Sequence, residues 1–93
     1  MVSENLLLVR LIGIVDVASL RELDSVVSKA ERAKLRFAVV DLSEVALFTA
    51  VGLNFLSRLI TACETVQLVG LDGQPEIRRM LAAVGLEPHL IIH

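Results

Sequence analysis

Short runs of Leu, Val and Ile alternate along this chain with longer stretches in which apolar residues recur every three or four positions. A brief apolar run suits a strand and the longer period suits one face of a helix, so the alternation predicts an α/β domain with a largely parallel sheet. Residues 6–12 (LLLVRLI) predict a first strand, buried over most of its length and ended by Gly13. Asp16 stands where a helix N-cap belongs, and Leu20, Leu23, Val27 and Ala30 give residues 17–34 one apolar face. Glu22 and Asp24 lie early in that helix and Arg32 and Lys34 late, as the helix dipole favours.

Residues 37–42 predict a short second strand, central in the sheet. Asp41 and Ser43, whose side chains can bond their own backbone, then predict a loop. Thr49 is the expected N-cap of a second helix running from Ala50 to about Ala62, and Gly52 on its first turn would leave the helix N-terminus approachable. Leu53, Leu56, Ile60 and Cys63 form the inward stripe of this helix, whereas Asn54, Ser57, Arg58 and Thr61 line the opposite side at the same spacing. Residues 66–71 predict a third strand. Pro75 opens a third helix that buries Ile77, Met80, Leu81 and Val84, with Gly85 as its left-handed cap, and residues 89–92 predict a fourth strand. The reading is about four mostly parallel strands and three helices in a single domain over residues 1–93.

A content of 55% hydrophobic residues with only three aromatics, all Phe, exceeds that of average soluble domains, which reads equally as a dense core or as a patch facing a partner or a second copy in a homo-oligomer. A net charge of −2 without Trp or Tyr argues against nucleic-acid binding. A single cysteine, Cys63, excludes an intrachain disulfide and reads as cytoplasmic; its place on the inward stripe makes it a core residue rather than a nucleophile. Ser3 and Glu4 stand where a secretory signal would be basic, and the apolar runs are too short for membrane insertion. His89 and His93, four apart on a strand, would lie about 13 Å from each other, too far to share a metal. Adjacent Arg78 and Arg79 diverge on a helix. With no Ser, His and Asp set, glycine-rich phosphate cradle or carboxylate pair at recognisable positions, the reading is a non-enzyme without cofactor.

Asp41-Leu42-Ser43-Glu44-Val45 followed by Gly52-Leu53 resembles the centre of STAS domains, the family of bacterial anti-sigma-factor antagonists and their relatives. Gly13-Ile14-Val15-Asp16 resembles the family's turn into the first helix, and Leu68-Val69-Gly70 with Ile77 to Leu86 resembles its last helix and Gly-Leu ending, so the likeness covers nearly the whole chain. The family adds an N-terminal strand before the first one seen here and a longer link between the second helix and third strand. Before Gly-Leu it usually reads Asp-Ser-Ser or Asp-Ser-Thr, where one hydroxyl takes a regulatory phosphate. Here those positions are Thr49, Ala50 and Val51, and neither Ala50 nor Val51 carries an oxygen. The resemblance implies a regulatory module that binds an anti-sigma factor or serine-kinase-type regulator through Thr49, Gly52, Asn54, Ser57, Arg58 and Thr61 without that switch. It also implies an alternative, a small accessory subunit of a bacterial lipid-transport ATP-binding cassette complex. Thr49 is then either a relocated switch or a cap, and as a cap it should tolerate Thr49→Asp with equal or higher stability.

Overall fold

A computed structural model describes residues 5–93, so Ser3 and Glu4 lie outside the described residues. Four strands form one wholly parallel sheet in sequence order: β1 (Leu6–Val15), β2 (Phe37–Phe48), β3 (Thr65–Val69) and β4 (Ile91–Ile92). Between them run α1 (Leu20–Ala33), α2 (Ala50–Ala62) and α3 (Pro75–Ala83). Because the strand order never reverses, right-handed crossovers place the helices on the same face of the sheet. Burial follows from that. Leu7, Leu11 and Val15 on β1, Ala38, Val40 and Leu42 on β2, and Val66 and Leu68 on β3 are buried toward the helices. Leu8, Arg10, Ile12 and Ile14 on the opposite face of β1 are exposed. The expectation of a first strand buried over most of its length therefore fails at alternate residues, since nothing among the described residues covers the second face.

The helices complete the core with Leu23, Val27 and Ala30 of α1, Phe55, Leu56 and Leu59 of α2, and Ile77 and Leu81 of α3. Residues 17–34 are less uniform than predicted: Val17–Ser19 form a 3-10 turn capped by Asp16, and the α-helix begins only at Leu20, which stays 37% exposed. On α2 the inward stripe is rotated. Phe55 and Leu59 join Leu56 and Cys63 in the core, whereas Leu53 and Ile60 are half-buried. At the end of α3, Gly85 adopts a φ of 76°; its N–H donates to the Ala82 carbonyl at 3.2 Å and the Leu86 N–H reaches the Leu81 carbonyl at 3.0 Å, a left-handed cap as expected. That cap turns Val84 outward, 54% exposed rather than buried.

The largest departure is β2, whose twelve residues run through the predicted loop to Phe48. Opposite Arg10 to Ile12 on β1, β2 advances from Asp41 to Glu44, and opposite Gly13 to Ile14 it advances from Val45 to Leu47. Each step gives β2 one residue more than β1, so two bulges lie where the sequence reads as irregular. Gly13 shifts the register but does not end β1. The Gln74 side chain, on the loop before α3, donates to the carbonyls of Leu42 at 3.0 Å and Val45 at 2.8 Å, satisfying groups the bulged ladder leaves free. β3 stops at Val69, two residues short of its predicted end, and β4 spans only Ile91–Ile92 because Glu87–His89 form a 3-10 turn. His89 is thus not on a strand with His93, whose ring instead pairs with Gln67 Oε1 at 2.8 Å. The short α2–β3 link is held by the Arg36 carbonyl, which accepts from the N–H groups of Glu64 at 2.8 Å and Thr65 at 3.1 Å.

Candidate partner-binding surface

Where β2 gives way to α2, Thr49 is extended (φ −123°, ψ −177°) and its hydroxyl has two partners. Oγ1 accepts from the Val51 N–H at 3.3 Å, the cap expected from sequence, and donates to the Val15 carbonyl at 2.8 Å, which no local pattern signals. One side chain therefore starts α2 and fastens it to the end of β1. Ala50 next to it is exposed and Val51 is half-buried against the core. Thr49→Ala removes both bonds and should lower stability by about 1–2 kcal/mol, from a lost cap and an unpaired buried carbonyl. Thr49→Ser should restore most of it. Thr49→Asp can cap but cannot donate, and it sets a carboxylate against the Val15 oxygen, so the tolerance predicted from sequence should be lost. Denaturant midpoints of the three variants decide this, and a Thr49→Asp protein as stable as the parent would refute the role given to the Val15 contact.

Gly52 does not leave the helix start open. It is buried, and an added Cβ would lie 2.4 Å from the Phe48 ring, so the glycine makes room for that ring rather than for a partner. Asn54, Ser57 and Thr61 are exposed along the outer side of α2, as the period predicts. Arg58 on the same side is half-buried and pairs through Nη1 with Asp24 Oδ1 of α1. Such a pair near the surface adds little stability but fixes where the guanidinium points. Sequence reasoning missed an apolar wall beside this stripe. Leu53, Asn54 and Ser57 of α2 and Val84 and Leu86 beyond α3 line one shallow groove of about 230 Å³, so the polar row borders a greasy floor. The exposure of Val84 is what creates it.

The Asp-Leu-Ser motif lies apart from this surface, inside β2. Asp41 Oδ1 accepts from the Ser43 N–H at 2.9 Å across the first bulge, with Leu42 wholly buried between them. The Ser43 N–H and hydroxyl, together with Arg10 at 3.6 Å, hold the Asp41 carboxyl below its usual range. Gly70 closes against the same turn: a Cβ there would lie 2.6 Å from the Ser43 nitrogen and 2.7 Å from Asp41 Oδ1. These residues shape the bulge.

A family model described as the STAS domain matches residues 1–93. The chain belongs to the STAS-domain family. No curated relative matches the sequence significantly. STAS domains serve in general as regulatory modules that mediate protein–protein interaction, and the four parallel strands with three helices on one face are this domain's version of the fold. Among the described residues of the STAS domain no helix is long and apolar enough to cross a membrane. Cys63 is buried at the end of α2, where desolvation pushes its thiol above the ordinary value and so away from the nucleophilic thiolate.

Proposed function

We propose that this STAS domain is an anti-sigma-factor antagonist-like module that binds a kinase-type anti-sigma factor through the outer side of α2 and carries no hydroxyl free for a switch at residues 49–51. One observation carries the reading. At the start of α2 the one hydroxyl, Thr49 Oγ1, is engaged with Val51 and Val15, and the next two residues have no side-chain oxygen, while Asn54, Ser57 and Thr61 beyond them are uncovered. A partner is met by a surface whose charge does not change, so binding persists regardless of kinase activity.

The test uses purified kinase-type anti-sigma factors of the source organism. The parent should bind one of them with the same affinity before and after incubation with ATP, and no phosphopeptide should cover residues 49–51. Arg58→Glu reverses the one charge of the stripe and should weaken binding at least about tenfold, equivalent to ~1.4 kcal/mol, while the lost pair with Asp24 lowers stability by no more than about 1 kcal/mol. Stoichiometric phosphate on Thr49, or full affinity in Arg58→Glu, refutes the proposal. Binding to a subunit of a lipid-transport ATP-binding cassette complex in place of every anti-sigma factor would transfer the surface to that second role.

A further inference from the structure

β1 pairs with β2 on one side, and no described strand lies beyond its other side. The Asn5 carbonyl accepts from the N–H groups of Arg36 and Phe37, and the Val15 carbonyl accepts from Thr49, so odd-numbered residues turn their main chain toward β2. Leu6, Leu8, Arg10 and Ile12 therefore turn N–H and C=O to the open border. Alongside it runs a groove of about 240 Å³ whose walls include Leu11, Ile12 and Ile14 of β1 and Ser19 and Glu22 at the start of α1. Exposed apolar side chains gather here. Of the eight large hydrophobic residues left exposed among the described residues, Leu8, Ile12, Ile14, Val17 and Leu20 lie on β1 or just after it, and Leu47 is the β2 partner of Ile14. Ile12 is 66% and Ile14 57% exposed. A ten-residue border with Arg10 as its one charge and no Pro lacks the devices that usually keep sheet edges apart.

We propose that this border is a self-association surface, at which β1 of a second copy adds antiparallel to β1 of the first about a twofold axis at Leu11. The side-chain order of β1 is self-complementary in that register. Leu8 lies opposite Ile14 of the second copy, and the Arg10 stem lies along Ile12, so the outward pairs formed within β1 are apolar or aliphatic, and only Leu6 at the end meets a residue beyond the strand, Asp16. An axis at Arg10 would oppose two guanidinium groups, and one at Ile12 would shorten the paired stretch of β1 from residues 7–15 to residues 9–15 and leave Leu8 without a strand partner. The hydrogen-bond parity agrees: Leu11 turns its main chain to β2 and so forms a pair without bonds, the flanking Arg10–Ile12 pair exchanges them, and Leu8 meets Ile14, whose carbonyl also accepts from the Ser19 hydroxyl at 3.3 Å. Such an axis stands normal to the sheet, keeps both helix layers on one side and closes the contact, because the same patch is used twice.

Sedimentation velocity on the full chain across a micromolar dilution series should show a dimer giving way to monomer. Ile12→Lys combined with Ile14→Lys should be monomeric throughout, with the parent's circular dichroism and the unfolding midpoint that the parent shows at dilutions where it is itself monomeric, since both side chains are already exposed. In a Cys63→Ala background, oxidised Leu11→Cys should form a covalent dimer, because paired antiparallel residues without hydrogen bonds lie about 4.5 Å apart at Cα, within disulfide reach. Val9→Cys, whose counterpart is Gly13, should not. A parent monomeric over the whole series overturns the proposal, as does a dimer that survives the double lysine substitution. Cross-linking of Val9→Cys without that of Leu11→Cys overturns the register and with it the assignment.

Discussion

Gly70→Ala should lower the unfolding free energy by about 2–5 kcal/mol, the sum of a left-handed backbone penalty and an overpacked contact. Gly70 has a φ of 79°, a region that costs a residue with a Cβ about 1–2 kcal/mol by itself. The new methyl would also lie 2.6 Å from the Ser43 nitrogen, and backbone inside a sheet cannot swing aside as a side-chain tip can. Gly73 supplies the comparison: its φ is 81°, yet nothing stands within 4 Å of its would-be Cβ. Gly73→Ala should therefore show only the backbone term. The difference between the two midpoints, converted through a common denaturant slope, measures the closeness of β3's end to the Asp41–Ser43 turn. Equal losses in the two variants would mean that the bulge gives way freely and that Gly70 is there for its dihedral angle alone.

Gly52→Ala is expected to lose about 1–3 kcal/mol, although alanine is the better helix former by about 1 kcal/mol. The sign rests on Phe48. Its Cε1 and Cζ would each lie 2.4 Å from the added Cβ, and with the ring 7% exposed the core behind it leaves little space for retreat. A double-mutant cycle isolates the effect, because Phe48→Leu removes the ring edge at a cost of its own. If the contact is real, Gly52→Ala should be neutral or stabilising in the Phe48→Leu background, where only helix propensity remains, and the coupling energy should exceed about 1 kcal/mol. Losses that simply add would show that the ring rotates out of the way. Partner binding should be unaffected by either single change once folding is accounted for, since Gly52 is covered.

The alternating apolar runs carried the architecture because burial on one face is a matter of period, and period is written in the order of residues. The same rule located α2 to the residue and named Thr49 as its cap, since a hydroxyl before a helical stripe has few other uses. It failed along β2 for a physical reason. The first inserted residue puts Val45 out of phase with Val40 and Leu42 and the second brings Phe48 back into phase, and a strand that changes phase twice looks like a loop. Contacts between distant segments were equally silent. Nothing near Gln74 announces that it will reach the carbonyls of Leu42 and Val45, and nothing near Val84 announces that Gly85 will turn it outward onto the groove beside Asn54 and Ser57. The polar stripe was legible in the sequence and its apolar neighbour was not.

The bond from Thr49 to the Val15 carbonyl joins residues 34 positions apart, and this separation bears on the order of events as the chain folds. A cap whose partner lies on its own helix can form in a fluctuating segment, whereas this hydroxyl is placed for its second bond only after β1 has been laid beside β2. The first turn of α2 is therefore secured late, by tertiary docking, and β1, β2 and the start of α2 belong to one cooperative unit rather than three. In amide hydrogen exchange the Val51 N–H would then report on the attachment of β1, a strand on which it makes no contact of its own.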